Sequence, residues 1–241
     1  MRQLLGSAVF TTILFVSVAI WAWPCFALRI LGYQAMLAGV KVWARAILAV
    51  LRWCCRLDYS VRGLERLPAD NTVILMKHSS AWETIAQLVL FPNQTWVMKR
   101  ELIWAPVLGW ALSMMKPIAI NRSGGRNAVN QVIEQGQIRL REGLWVMIFP
   151  EGTRVPVGQM GRFGLSGILL AQAAGKAVVP VAHNAGDFWP RRGLLKKRGT
   201  IRVVIGPPIE TLGRDPRELN QKAQAWTESA MARISSAYAR S

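Results

Sequence analysis

The chain has 241 residues, with 30 Lys and Arg against 13 Asp and Glu, and its formal net charge is +17. Hydrophobic residues make up 52% of it and charged residues 18%, so the composition excludes a disordered polycation and the length suffices to bury a core. An apolar protein this basic is expected to bind an anionic membrane or a nucleic acid.

Residues 1–56 are predicted to anchor the chain to a membrane. Residues 3–28 carry no charge, and a helix of that length, at ~1.5 Å rise per residue, exceeds the ~30 Å hydrocarbon core of a bilayer. A cleaved signal peptide is the alternative, but the apolar stretch of a signal peptide is shorter than the uncharged stretch 3–28 of this chain. The basic residues that follow the span favour a cytoplasmic location for the rest of the chain.

Residues 30–56 predict a second helix, with a basic stripe beside an apolar face. This pattern is typical of a helix that lies in the interface of an anionic leaflet, and a solvated face of an ordinary helix is the alternative. The stripe consists of Lys41, Arg45, Arg52 and Arg56.

Residues 57–241 are predicted to form one α/β domain. Short apolar runs predict strands, and stretches with helical spacing predict helices between them. The strands are expected at 72–76, 144–149, 177–182 and 201–205, and the helices at 80–90, 126–141, 165–174 and 216–238. This alternation favours a largely parallel or mixed sheet flanked by helices. Polar clusters follow predicted strands at 77–80, 121–125 and 150–154, where open α/β sheets bind ligands.

Cysteine and histidine are scarce. The cysteines all lie before residue 56, which excludes a disulfide framework or a cysteine nucleophile in the predicted α/β domain. The histidines are His78 and His183, too few for an ordinary zinc site. His183, at the end of a predicted strand, is expected to be a packing or loop residue.

His78 follows a predicted strand, and Glu83 comes five residues later. On one continuous helix the two would face different sides, so they can meet only if His78 lies in the loop and bends back over the first turn. The carboxylate would then fix the tautomer of a general base that removes a proton from a hydroxyl. The same residues fit a capping box, with Ser80 as the N-cap and Glu83 as the third helical residue, and the spacing leaves both interpretations open.

The segment 149–154, Phe-Pro-Glu-Gly-Thr-Arg, predicts a rigid polar turn after a strand. Gly152 allows backbone amides to approach a ligand, and Thr153 and Arg154 are suited to binding a phosphate. A surface turn with a Glu151–Arg154 pair is the alternative. Arg122 follows another strand, and we expect the two strands to be neighbours, so that Arg122 and Arg154 converge on one anion. A solvated turn residue is the alternative for Arg122.

Together these blocks resemble the glycerolipid acyltransferases, specifically the bacterial 1-acyl-sn-glycerol-3-phosphate acyltransferases. That family has His-x4-Asp, an arginine block, Phe-Pro-Glu-Gly-Thr-Arg and a Val-Pro-Val strand, and here these blocks are found at 78–83, 119–122, 149–154 and 179–181. The chain has Glu83 in place of the usual Asp, Lys77 where Asn often precedes the histidine, and 161–164 in place of Phe-Lys-x-Gly.

The resemblance implies transfer of an acyl chain from acyl-CoA or acyl carrier protein to the free hydroxyl of a lysophospholipid, without a metal or other cofactor. His78 would be the general base and Glu83 would orient it. Arg122 and Arg154 would hold the acceptor phosphate, and Glu151, Gly152 and Thr153 are expected to bind substrate beside them, with Glu151 also organising the turn. The resemblance identifies no oxyanion donor, and the Gly152 backbone is a candidate for that role. The expected location is the cytoplasmic (inner) membrane, with an anionic membrane surface as partner.

The sequence leaves open alternatives for the acceptor and for the class of protein. The acceptor could be glycerol-3-phosphate or a lyso-aminolipid, because the blocks do not separate these. A membrane-tethered lipid-binding protein without chemistry is the alternative from another class. No nucleic-acid-binding motif is present in the sequence, so nucleic acid is not an expected partner.

Overall fold

A computed structural model describes residues 1–238, with the side chain of Arg122 outside the described part. Over these residues the strands form one seven-stranded sheet in the order β1-β7-β6-β2-β5-β3-β4. The strands are β1 (Leu57–Arg62), β2 (Val73–Met76), β3 (Gln94–Lys99), β4 (Ile118–Ile120), β5 (Trp145–Ile148), β6 (Val178–His183) and β7 (Gly199–Ile205). Strands β2 to β6 run parallel, and β7 is antiparallel to β6 and parallel to β1. The predicted mixed sheet is therefore confirmed.

The helices match the predicted stretches closely. They are α1 (Arg2–Ile30), α2 (Tyr33–Cys55), α3 (Trp82–Leu90), α4 (Leu108–Met114), α5 (Arg126–Arg141), α6 (Ser166–Ala173), α7 (Ala185–Phe188) and α8 (Pro216–Ile234). The last helix ends before the predicted residue 238, and Asp215 caps its start by accepting from the backbone amides of Arg217 and Glu218. Strands β1 and β3 and the short helices α4 and α7 were not predicted from the sequence.

The central strand β2 shows how the sheet divides the core. Its side chains alternate, so Ile74 and Met76 lie in one hydrophobic cluster while Val73 and Leu75 lie in another. The first cluster includes side chains from α2 and α3, and the second includes side chains from α5, α6 and α8. Because both faces of the sheet are covered, the carboxyl ends of the parallel strands remain as the place for a site.

Helix α2 is packed against the protein, contrary to the expectation for a helix lying in the membrane interface. Its apolar side is buried in the cluster that includes α3, and α1 packs along it. Two of its basic residues have partners within the chain: Lys41 donates to Asn93 Oδ1 at 3.1 Å, and Arg52 lies 3.2 Å from Asp58. The face expected to enter the membrane is therefore covered by protein.

Helix α1 instead exposes apolar side chains along most of its length. It is one of two N-terminal helices long and apolar enough to cross a membrane. Near its start Ser7 Oγ accepts from the Lys196 amide at 2.9 Å, and further along Trp21 donates to Gly39 O at 3.1 Å. The first contact ties α1 to the α/β domain and the second ties it to α2, while one apolar side of α1 stays uncovered. Such a surface is a feature of membrane-associated proteins.

Candidate active site

His78 lies in the loop between β2 and α3, as the spacing argument requires. The loop turns back over the start of α3, so that His78 Nδ1 lies 2.9 Å from Glu83 Oε1. The imidazole is nearly buried and the carboxylate is fully buried. The five-residue separation thus brings the two groups into hydrogen-bonding distance.

Glu83 also closes the first turn of α3. Its Oε1 accepts from the backbone amides of Ser79 at 2.8 Å and Ser80 at 2.7 Å, and Ser80 Oγ accepts from the amide of Trp82 at 3.1 Å. The helix begins at Trp82, and one of the two bonds of the predicted capping box is present, from the Ser80 amide to Glu83, while the Ser80 hydroxyl accepts from Trp82 rather than from the Glu83 amide. The capping and the histidine contact therefore coexist, and the cap holds the carboxylate still.

The surroundings of Glu83 favour its ionised form. Burial opposes ionisation, but the imidazoles of His183 and His78 and the Ser80 amide outweigh burial and hold the pKa of Glu83 below its ordinary value. An ionised carboxylate can only accept, so Nδ1 of His78 carries the hydrogen. The other ring nitrogen, Nε2, then has the lone pair needed to accept a proton.

Further contacts fix His78 in place. Its ring stacks on Phe149, with centroids 4.1 Å apart and planes 23° apart. Its backbone amide donates to Glu151 Oε2 at 2.8 Å, and its carbonyl accepts from the amide of Val155 at 2.8 Å. The segment from the end of β5 onward therefore supports the histidine in addition to its contact with Glu83 of α3.

Glu151 faces inward, which corrects the expectation that it contacts substrate or pairs with Arg154. Its carboxylate is fully buried and forms an ion pair of 2.7 Å with the equally buried Lys77. The amide of Gly161 also donates to Glu151 Oε1 at 3.3 Å. Both Glu151 oxygens are thus occupied within the protein, and the residue organises the turn, the function expected from the family resemblance. Sequence reasoning missed this use of Lys77, whose only signal was a charge directly after an apolar strand.

The turn itself presents two of the expected substrate-binding side chains. Gly152 has a φ of +67°, a conformation that favours glycine, and its amide donates to Phe149 O at 3.0 Å. This bond closes the turn, so the Gly152 amide points into the turn, whereas an oxyanion donor would have to point outward toward the substrate. Thr153 is exposed, and Arg154 is half-buried with an Nε that has no hydrogen-bond partner among the described residues.

Arg122 follows β4, as predicted, in a single turn of 3-10 helix, but its side chain lies outside the described part of the chain. Strand β4 is not next to β5, because β3 lies between them. The expectation of neighbouring strands is therefore wrong, although β5, β3 and β4 are parallel and their carboxyl ends share one edge of the sheet. The convergence of Arg122 with Arg154 stays a prediction.

His183 is a buried residue at the end of β6, consistent with the packing position expected. Its Nε2 lies 2.7 Å from Lys77 O, and its Nδ1 accepts from the Ala185 amide at 3.3 Å. Burial lowers its pKa, which keeps the ring neutral. Nε2 lies 3.9 Å from Glu83 Oε2, an oxygen without a hydrogen bond among the described residues. Sequence reasoning did not foresee that both histidines would flank one carboxylate.

An apolar cavity of about 380 Å³ adjoins this site. Its walls come from α1, α2, α3, α4 and the segment before α4. Representative lining residues are Trp21, Val40, Ile85, Leu88, Leu112 and Arg154. Because Arg154 lines the cavity and α3 also carries Glu83, the apolar space meets the polar groups at the carboxyl ends of the strands. No sequence pattern indicated this cavity, because it forms only where α1 and α4 approach α3.

Known proteins share both the sequence and the fold of this chain. A family model described as acyltransferase matches residues 58–184. A 1-acyl-sn-glycerol-3-phosphate acyltransferase of Pseudomonas aeruginosa is 45% identical over 238 residues, which cover 97% of this chain and 93% of that protein. The human 1-acyl-sn-glycerol-3-phosphate acyltransferase alpha is 28% identical over 178 residues, which cover 73% of this chain and 63% of that protein. The crystal structure of the 1-acyl-sn-glycerophosphate (LPA) acyltransferase from Thermotoga maritima has the same fold, with a TM-score of 0.81 over 98% of this chain and all of that one, at 20% identity. The chain belongs to the acyltransferase family.

Proposed function

We propose that the protein transfers an acyl chain from acyl-CoA or acyl carrier protein to the free hydroxyl of 1-acyl-glycerol-3-phosphate, which makes phosphatidic acid. The observation that carries the proposal is the 2.9 Å contact between His78 and Glu83 beside an apolar cavity. The names of the Pseudomonas and human relatives support the same reaction.

The chemistry follows from the histidine tautomer. Nε2 of His78 takes the proton of the acceptor hydroxyl as its oxygen attacks the carbonyl carbon of the thioester. Glu83 stabilises the imidazolium that forms, since its carboxylate already accepts from Nδ1. The tetrahedral intermediate then collapses, the carbon–sulfur bond breaks, and His78 returns the proton to the departing sulfur. No protein nucleophile and no cofactor is needed for these steps.

Arg154 is the group best suited to the acceptor phosphate. Its partly unpaired guanidinium borders both the apolar cavity and the turn after β5, and Thr153 is exposed on the same turn. A guanidinium can bind a phosphate through two parallel hydrogen bonds. We propose that Arg122 joins it, and that the cavity takes an acyl chain, since its lining is apolar.

The site of action is an anionic membrane. The exposed apolar side of α1 would enter the leaflet, and the net charge of +17 would favour anionic headgroups. We propose that the protein works at the cytoplasmic face of the inner membrane.

A direct assay tests the reaction. The full chain, reconstituted in phosphatidylcholine–phosphatidylglycerol vesicles, would be offered labelled lysophosphatidic acid, glycerol-3-phosphate or a lyso-aminolipid, with each of the two thioester donors in turn. We expect transfer to lysophosphatidic acid, and His78→Ala should lower it by ~10²–10⁴-fold, the usual contribution of a general base. Transfer to one of the other acceptors alone would overturn the proposed acceptor. Wild-type turnover in His78→Ala would overturn the proposed mechanism. Binding without turnover on any acceptor would favour the non-catalytic lipid-binding alternative.

A further inference from the structure

A second apolar surface lies beside α1, on the segment 100–114, which comprises a 3-10 helix (Arg100–Trp104) and α4. Trp104 is 75% exposed and Trp110 is 56% exposed, and Leu102 and Leu108 are exposed as well. Single exposed apolar residues are ordinary, but a run of large ones on one short segment marks an interaction site.

The position of this segment identifies what it faces. Helix α4 contacts α1, the helix whose apolar side chains are exposed along most of its length. Leu102, Leu108 and Leu112 also line the apolar cavity, while Trp104 and Trp110 are not among its lining residues. The segment is therefore a wall, with the cavity on one side and the exposed tryptophans on the other.

The charges nearby suit an anionic surface. Lys99 precedes the segment, Arg100 begins it, and Lys116, which pairs with Glu142, follows it, while between residues 99 and 116 the sequence contains one acid, Glu101. Lys99 lies 3.3 Å from Glu101, so the single acidic charge is paired. Tryptophan with flanking basic residues is the composition that favours the headgroup–acyl boundary of an anionic leaflet.

We propose that the segment 100–114 is a second membrane-binding element, inserted beside α1 into the headgroup–acyl boundary of an anionic bilayer. It extends the apolar surface of α1 to the outer wall of the cavity, so that a membrane lipid can pass into the cavity without crossing water. The inference concerns a surface, and its test by membrane contact stands whether or not the proposed acceptor is correct.

Membrane contact at this segment can be measured by site-directed labelling. In a full chain with its cysteines replaced by alanine, Trp104→Cys and Trp110→Cys would carry an environment-sensitive fluorophore in phosphatidylcholine–phosphatidylglycerol vesicles. Leu212→Cys is the matched control, because Leu212 is 67% exposed but lies away from the proposed membrane surface. Its neighbour Thr211 donates to the carbonyl of Lys176, just before β6, and His183 is at the other end of that strand.

We expect the labels at 104 and 110, but not at 212, to shift to the blue and to be quenched by lipids brominated on their acyl chains. Labels at 104 and 110 that behave like the control would overturn the proposal, and a protein partner would then be the alternative occupant of this surface.

A kinetic test avoids the cysteine replacements. Trp104→Ala combined with Trp110→Ala should raise the apparent KM for a vesicle-borne acceptor by about tenfold, because two indole rings no longer leave water on docking. The same variant should use a short-chain acceptor dissolved as monomers within about twofold of wild type, and Leu212→Ala should match wild type on both. Equal losses on vesicle-borne and dissolved acceptors would overturn the membrane interpretation, because they would point to damage within the site.

Discussion

Replacing Lys77 by methionine removes one charge from a fully buried ion pair while keeping a side chain of similar length. Lys77 Nζ lies 2.7 Å from Glu151 Oε1, and neither side chain has exposed surface. Breaking a buried pair by removing one partner costs ~3–5 kcal/mol, because the remaining charge is left without compensation. At roughly 2–4 °C per kcal/mol for a chain of this size, the melting temperature should fall by about 6–20 °C.

Two matched variants isolate the effect of burial. Lys116 lies 2.8 Å from Glu142, a comparable distance, but about one third of each side chain is exposed, so Lys116→Met should cost ~1 kcal/mol or less. Combining Lys77→Met with Glu151→Gln leaves no buried charge at the pair, and replacing both members of such pairs is often nearly neutral. The double variant should therefore melt above Lys77→Met. Thermal unfolding of the full chain in one detergent, followed by circular dichroism, compares all of these.

The same substitution should slow catalysis through His78. Glu151 Oε2 holds the His78 amide at 2.8 Å, so a displaced Glu151 shifts the base relative to the bound hydroxyl. We expect kcat to fall by about tenfold or more, with a smaller change in the KM for the acceptor, since the Lys77 side chain is fully buried. If Lys77→Met unfolds at the same temperature as Lys116→Met and keeps wild-type kcat, the buried pair does not support the base and the reasoning is refuted.

Three other perturbations test the site. Glu83→Asp should keep at least about tenfold more activity than Glu83→Gln, because the imidazolium needs a charged partner, and equal rates for Gln and wild type would reduce Glu83 to a helix cap. Arg154→Lys should raise the acceptor KM by about ten- to hundredfold, as expected for charge-assisted bonds of ~1.5–3 kcal/mol, and a rise in the donor KM alone would reassign Arg154 to the donor. Burial lowers the pKa of His183 from 6.5, so the unfolded chain takes up a proton first and the free energy of unfolding should decline as the pH falls below about 6.5. His183→Gln should weaken that decline, which denaturant titrations of both proteins at several pH values would measure. If the free energy of unfolding fell equally with pH in both proteins, His183 would not be the group responsible.

The sequence predicted the elements that carry the site because their signals are local. The apolar run before His78 is strand β2, and the Phe-Pro-Glu-Gly-Thr-Arg segment follows β5, as expected. Strand β1 was missed because the prediction relied on continuous apolar runs, whereas its residues alternate between apolar and polar, the pattern of a half-buried strand. Strand β3 was missed because it carries polar residues at both ends. Strand β1 is at one edge of the sheet and β3 lies between β5 and β4, and neither contributes a polar group to the site.

Strand order and side-chain direction are not local, and the wrong expectations concern these. Arg122 and Arg154 follow strands of similar appearance, and nothing in either segment specifies that β3 lies between β4 and β5. Glu151 lies in a turn with two polar neighbours, Thr153 and Arg154, yet its side chain points inward because Lys77 and the His78 amide supply buried donors there. The apolar face of α2 likewise fits a membrane or a protein core, and only packing against α1 and α3 decides between them.

Glu83 shows why two interpretations of one pattern need not compete. A carboxylate oxygen has lone pairs for more than one donor, and Glu83 Oε1 accepts from the Ser79 and Ser80 amides as well as from His78. These amides belong to the loop directly before α3 and donate to the same oxygen, so they hold it at the place where the imidazole meets it. An aspartate, one methylene shorter, can keep both sets of bonds only if the loop moves toward the helix. The tenfold or greater advantage expected for Glu83→Asp over Glu83→Gln therefore measures charge, while any deficit of Glu83→Asp against wild type measures how far this loop is built around the longer side chain.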